Sequence, residues 1–593
     1  MNERNESTTP KKKALVLWPI YIILAVLPLV IHKYTYNPHL SSYEWFVDAN
    51  EMNDYYLAWR SIIFICLICI MMGIIIYRTA VKKKPFSFSK LFIPLIAYSM
   101  LAILATIFSA NRYFSTHGII EQFEPIWVLL GYGITTYYCF NVIESIEDIH
   151  KLLKAILIGA TLICLIGVFQ MINIDFLDAS LIKMFIGDSS FTPYSLNHKN
   201  TVYATLFNPN YVGLYVSLIF PIPLMCFLRA KTKKKKYILG CLVLALLICI
   251  FGARSKNGII ALVFSLFIMC VMFRKILFKK KKILVFGSAS IIIMFIITNI
   301  ISKNGLLNNI KNVFATNDNS PNLTKIVTDT DGIKIDYKGI SLNISMITQD
   351  GSCQFICYDN NGNLITTQLS EDSKSVILTD ERFGTIYLEP FVKGDLVAFN
   401  VIIDGVKWCF TNQTDGTYYF FNPYNRLLKV NLESSYKKSW SIASGRGYIW
   451  DKTIPIIKNN FWLGTGPDTF LLQFPNQDYL NGSNAGFHEE LISKPHNLYL
   501  QIASQTGVPS LIAFLVFYIW YFISTLKLCG KGDFSSDKEM LSVSIMLGTL
   551  GYMVAGLAYD STITVTPIFW ALIGISLGIN KLIKRDLTID CMK

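Results

Sequence analysis

The sequence predicts an α-helical polytopic membrane protein of about 12 transmembrane helices, with an inserted extracytoplasmic β-sandwich-like domain and interfacial helices. Three observations carry that reading. The chain is 52% hydrophobic and only 16% charged over 593 residues, which is too apolar for an ordinary soluble protein. Apolar runs of roughly 20 residues, the length that crosses about 30 Å of hydrocarbon, recur about twelve times. One connection, from Ser302 to Gly507, is far longer than an ordinary loop and must contain folded structure.

In order, the predicted spans are Ala14–Ile31, Leu57–Tyr77, Leu91–Ser109, Ile126–Val142, Leu152–Ile172, Asn210–Leu228, Tyr237–Ala253, Gly258–Phe273, Ile283–Ile301, Val508–Leu526, Met540–Ala558 and Pro567–Ile583. The first lacks a small-residue cleavage site and reads as an anchor. Lys11–Lys13, Arg78 with Lys82–Lys84, Arg229 with Lys233–Lys236, Arg274 with Lys279–Lys282, and Lys581–Arg585 flank spans on one side. By the positive-inside rule both termini are cytoplasmic and the long connection lies outside the cell membrane. The net charge of +14 is then accounted for by topology and by contact with membrane lipids, and no nucleic acid is expected as a partner.

The outer connections carry signals of their own. Tyr43–Tyr56 is acidic and aromatic. FNPN at Phe207–Asn210 breaks the chain before the sixth span, where Asn210 is suited to cap the helix. FGARSKNGII places Arg254 and Lys256 on an outer turn, either to snorkel to headgroups or to bind an anion. From Thr324 to Val430 the chain becomes short, alternating, β-branched and aromatic runs separated by DG, NG and KG, the mark of antiparallel hairpins. Within it Trp408, Tyr418 and Tyr419 are candidate exposed aromatics.

This divides the chain into a bundle of about nine helices (1–301), a linker (302–323), an extracytoplasmic β-rich domain (324–430), an extracytoplasmic, interfacial helical loop (431–507) and C-terminal helices with a cytoplasmic tail (508–593). In the helical loop, Trp440, Trp450 and Trp462 with Tyr448 and Phe461 suit a membrane interface, and Pro455 argues against one uninterrupted helix. Of 13 cysteines, Cys66 and Cys69 form the one C-x-x-C, within a span, and read as packing residues. Cys353, Cys357 and Cys409 fall outside, where a single bridge involving Cys409 is open. No metal ligand set or cofactor motif is present.

Charge, glycine and histidine crowd together from Ser444 to Pro509: SGRGYIW (Arg446, Trp450), WLGTGPDTF (Gly464, Gly466, Asp468) and KPHNLYLQ (His496, Asn497). Guanidinium groups grip phosphate oxygens bidentately and stay charged. An imidazole can take a proton from a hydroxyl at neutral pH, and Pro495 suggests a helix start with His496 in its first turn. Gly464-Thr465-Gly466 is too short for a nucleotide loop and reads as a tight turn. Together these groups suit displacement of a lipid diphosphate by a sugar hydroxyl.

The order R-x-x-x-W, N-N-F-W-L-G-T-G-P-D-T-F, P-H-N-L-Y-L-Q and T-G-V-P, with F-N-P-N-Y before the sixth span and an arginine between the seventh and eighth, resembles the O-antigen ligase and polymerase family of bacterial membrane glycosyltransferases. The resemblance implies a GT-C-like bundle that transfers or polymerises glycans carried on undecaprenyl diphosphate onto a glycan, lipid or protein acceptor, without nucleotide sugar or metal. It implies that Arg254 and Arg446 hold the diphosphate and that His496 activates the acceptor. Lys256, Asn210, Trp450, Gly464, Gly466, Asp468 and Asn497 are candidate substrate-binding residues. Two departures stand out: A-R-S-K-N-G lacks the serine that usually precedes the family arginine, so Lys256 can share that role, and the β-rich domain is an insertion. A transporter or flippase is the alternative, opposed by the lack of matching halves, and a sugar-sensing receptor is the third reading.

Overall fold

The computed structural model describes residues 10–83, 86–274, 296, 299–300, 320–349, 352–370, 374–393, 396–412, 416–530 and 536–592. Its main helices are α1 (Pro10–Tyr21), α2 (Ala58–Ile76), α3 (Phe92–Phe108), α4 (Ile126–Val142), α5 (Ile146–Met171), α6 (Pro209–Ile219), α7 (Pro221–Arg229), α8 (Lys233–Gly252), α9 (Lys256–Met272), α10 (Arg446–Asn459), α11 (Leu498–Thr506), α12 (Val508–Cys529), α13 (Asp537–Ala555) and α14 (Thr566–Met592). Six helical segments are long and apolar enough to cross a membrane, with shorter apolar helices at Val16–Leu29, Phe92–Phe108 and Lys256–Met272. The predicted ninth span, Ile283–Ile301, apart from 296 and 299–300, and most of the 302–323 linker lie outside the described residues.

The outward faces explain why this is a membrane bundle. On α3 the exposed side chains include Ile93, Ile96, Met100, Ile103, Ile107 and Phe108, one helical stripe that has no reason to face water and every reason to face lipid. The centre is α14, whose apolar side chains from Ile568 to Ile579 are almost all enclosed, chiefly against α4 and α13. Near the site, α6 and α9 cross at Gly213 and Gly258, where a Cβ on Gly258 would lie 2.5 Å from the Gly213 Cα. That close approach sets Lys256 beside the start of α6.

The inserted region holds two antiparallel sheets. Seven strands run in the order Leu427–Leu428, Tyr418–Phe421, Val406–Asn412, Leu396–Ile403, Ile386–Lys393, Val376–Leu378 and Thr367–Leu369. Six run Asn431–Glu433, Leu323–Thr328, Ile333–Tyr337, Ile340–Gln349, Ser352–Asp359 and Leu364–Ile365. Both contribute to one buried cluster containing Ile326, Ile335, Leu388, Val401 and Phe410. The hairpin signals hold locally: Ile403 pairs with Val406 across Asp404-Gly405, both at positive φ (50° and 83°), as a two-residue turn matched to strand twist requires.

Several expectations are corrected. Trp408 and Tyr418 are 1% and 4% exposed and belong to the sheet core, because alternation turns them inward, so they are not surface aromatics. Trp440 and Tyr448 are likewise buried together with Phe470 and Phe474, whereas Trp462 is 73% exposed. α10 runs on through Pro455, its buried face of Tyr448, Ile449 and Thr453 holding it together. Among the described residues Cys353, Cys357 and Cys409 form no disulfide, so none of them closes a bridge in the β-rich region.

Candidate active site

His496 sits on a short bridge, Lys494-Pro495-His496-Asn497, that leads into α11. Asn497 is the N-cap: its Oδ1 accepts from the N–H groups of Tyr499 and Leu500, each at 3.0 Å, and its Nδ2 donates to Leu557 O. His496 therefore lies one residue before the cap, at φ +49°, and not in the first helical turn, since the short amide is the better cap. Its Nδ1 is 3.0 Å from Oδ2 of Asp560, a carboxyl only 2% exposed, while the imidazole is 42% exposed. Oδ1 of Asp560 accepts from the Asn497 N–H, so one carboxyl fixes both the ring and the backbone beside it. On the other flank the Trp450 indole donates to Pro495 O at 3.1 Å. Among the described residues Nε2 of His496 has no hydrogen-bond partner, which leaves it for a ligand.

Trp450 belongs to α10, and that helix begins at Arg446, which follows Gly445 in the left-handed conformation. Arg446 donates once, to Ala443 O at 3.0 Å, and its buried Nε has no partner. Lys256 begins α9, with Nζ 3.4 Å from the Ser444 hydroxyl and close enough to Arg446 to feel its charge. Ser255 caps α9 and its Oγ lies 2.6 Å from the Tyr559 hydroxyl, the neighbour of Asp560. The Tyr559 hydroxyl also reaches Oδ1 of Asn210. Asn210 is the second residue of α6 and not its cap; Asn208 takes that role, accepting from the Asn210 N–H at 2.8 Å. Arg254, at φ +52°, stands just before Ser255, the cap of α9, with its charge near Tyr194. Among the described residues none of Arg254, Lys256 and Arg446 forms an ion pair.

Residues 409–515 match the O-antigen ligase family. The match contains Arg446, Trp450, Gly464, Gly466, Asp468, His496 and Asn497, and it supports the O-antigen ligase and polymerase family for this membrane-embedded chain. The matched segment suggests a glycosyltransferase-like enzyme of polysaccharide biosynthesis. A comparison with curated proteins returned no match.

Within the O-antigen ligase match, the remaining candidates are placed differently. Gly464 and Gly466, at φ +66° and +109°, bring the turn against the end of α11, where Thr465 N and Gly466 N donate to Ser504 O and Gln505 O. A Cβ on Gly466 would lie 2.4 Å from the Ser115 hydroxyl. Asp468 is fully buried, and its Oδ2 accepts from Glu124 N at 2.7 Å. Burial first, and Glu124 next, push its carboxyl well above the ordinary range. These three pack against the end of α11, Ser109 with Ser115, and Glu124, and none of these contacts is with His496.

Sequence reasoning missed Asp560, Lys494 and Glu124. Lys494 is 3% exposed, with Nζ 3.2 Å from the Tyr211 hydroxyl. Burial opposes its charge, but Tyr211, Asp560 and Glu124 outweigh burial and raise it. Glu124 accepts from the Tyr132 and Ser561 hydroxyls, and burial raises it in turn. The available signals were Lys494 inside the K-P-H-N run and Asp560 as the acid between the last two predicted spans, where a charge is costly unless it has a partner.

Proposed function

We propose that the chain transfers or polymerises a glycan from an undecaprenyl-diphosphate carrier onto an acceptor hydroxyl at the outer face of the cytoplasmic membrane. The acceptor is another glycan, a lipid or a protein. The observation that supports this most is that Lys256 and Arg446, which form no ion pair among the described residues, lie close to one another and that Arg446 is near Tyr559, the neighbour of the Asp560 that orients His496. Fixed cations of this kind supply the charge that a divalent ion supplies in other diphosphate enzymes, so the reading is metal-independent. The acceptor oxygen attacks the anomeric carbon on the side away from the diphosphate, and the carbon–oxygen bond to phosphate breaks. The leaving diphosphate takes the electron pair against the guanidiniums, the hydroxyl proton passes to Nε2 of His496, and the anomeric configuration inverts.

In this reading both termini are cytoplasmic, residues 324–430 form a sandwich-like module, and 431–507 form the catalytic loop between the bundle helices of 1–301 and 508–593. The basic ends of α7, α8 and α14, remote from His496, agree with that orientation. The test is to incubate the purified full chain with an undecaprenyl-diphosphate oligosaccharide and resolve the products by mass. Longer glycans mean a polymerase, and transfer to a different acceptor means a ligase. A folded protein that turns over no donor with any acceptor class returns the chain to the transporter reading.

A further inference from the structure

At the end of the bundle remote from His496 a groove of 640 Å³ opens between α5, α7, α8 and α13. Three of these helices fix its place. α6 and α7 run from Asn210 beside Tyr559 to Arg229, α8 runs from Lys233 back toward Arg254, and α13 runs from Asp537 toward Asp560. The 20 residues of α8 span about 30 Å, so groove and site lie a membrane thickness apart. The walls are apolar, with Ile149, Leu153, Met225 and Leu239, whereas the mouth carries Arg229, Lys231 and Lys235. Arg229 is neutralised by Asp537 at 2.5 Å. Lys231 and Lys235 are exposed and form no ion pair among the described residues.

We propose that this groove holds one anionic phospholipid, with its phosphate between Lys231 and Lys235 and an acyl chain along the Ile149–Leu153 wall. Basic residues at the membrane surface attract anionic headgroups, and an acyl chain laid along the apolar walls removes that surface from water. A free phosphate satisfies the lysines but leaves the walls wet. The flanking Tyr237 and Ile238, 76% and 57% exposed, lead from the mouth into the lipid-facing surface of α8. The site is distinct from the glycan-transfer centre and rests only on the helices crossing a membrane.

The experiment uses the full chain, delipidated in a neutral detergent and examined by native mass spectrometry with dioleoylphosphatidylglycerol or dioleoylphosphatidylcholine. The phosphatidylglycerol adduct is expected to survive at activation energies that strip phosphatidylcholine. Lys231→Glu with Lys235→Glu lowers its retention by about 10- to 30-fold, as two interfacial charges imply. Leu153→Trp fills the slot and lowers retention with both lysines intact, and Lys584→Glu, outside the groove, leaves it unchanged. Unfolding midpoints confirm that the exposed-lysine variant is folded. Equal retention of the two lipids, an unaltered adduct in the lysine variant, or displacement by equimolar inorganic phosphate overturns the proposal. Because transfer is not the readout, the result is independent of the enzymatic reading.

Discussion

Two arginines on the same end of the bundle are treated in opposite ways. Arg60, on α2, is fully buried and makes four hydrogen bonds: Nε to Val30 O (3.0 Å), one terminal nitrogen to the Thr564 hydroxyl (2.8 Å), and the other to Pro28 O and Thr205 O (3.0 and 2.5 Å). It ties the α1 exit, the α6 approach and the α13–α14 turn together. Arg446 makes one bond and buries an Nε with none. A guanidinium whose donors are saturated by carbonyls is a staple and has little left to offer a ligand. One held with empty donors costs stability until an anion fills them, which fits a site built to be occupied.

The largest effect is expected at His496, the proposed base. His496→Ala is expected to lower turnover by about 10²–10⁴-fold with donor affinity nearly intact, because general-base assistance acts in the transition state. Asp560→Asn keeps the shape but removes the charge that orients the ring, so its loss of turnover falls in the same direction and is smaller. Steady-state rates with separately measured donor binding distinguish the two parameters. Full activity in the His496 variant contradicts the mechanism.

Next come the arginines themselves. Arg60→Met orphans several buried carbonyls and is expected to cost about 3 kcal/mol or more of stability, read as a lower unfolding midpoint, with little change in activity per folded molecule. Arg446→Lys reverses that pattern. Stability is held, while donor affinity falls about tenfold and becomes more salt-sensitive, since an ammonium cannot reproduce the bidentate fork. If both variants shift the same observable, the division between staple and grip is wrong.

The fold was readable where a physical period governs it. Apolar runs gave helices at most predicted places, and dipeptides such as Asp404-Gly405 marked hairpins, because turn geometry restricts the residues allowed there. The family match includes His496 and Arg446, residues whose chemistry is legible in isolation. What was not readable depends on contacts distant in sequence. Asp560 meets His496 across 64 residues, and Glu124 meets Ser561 across 437. Trp408 and Tyr418 show the converse error: aromatic content suggested a surface, but which face of a strand turns inward depends on the opposing sheet.

The smallest effect separates the two buried aspartates. Asp560 faces a histidine and a lysine, whereas Asp468 lies against backbone N–H groups with Oδ1 buried and unpartnered. Its carboxyl is pushed well above the ordinary range, by burial first and by Glu124 second, with Lys494 opposing. The sign follows from linkage: the folded chain retains a proton that the unfolded chain releases near pH 4, so Asp468 favours folding at low pH. That contribution is lost as pH rises through the folded value. Asp468→Asn mimics the protonated carboxyl, with the amide oxygen accepting from Glu124 N and the amide nitrogen in place of Oδ1. The variant should match the parent within about 1 kcal/mol at acid pH and gain on it as pH rises. Unfolding midpoints of both proteins from about pH 5 to about pH 9 test this. Parallel curves would mean that Asp468 is ionised in the fold, and the contrast with Asp560 would then rest on position alone.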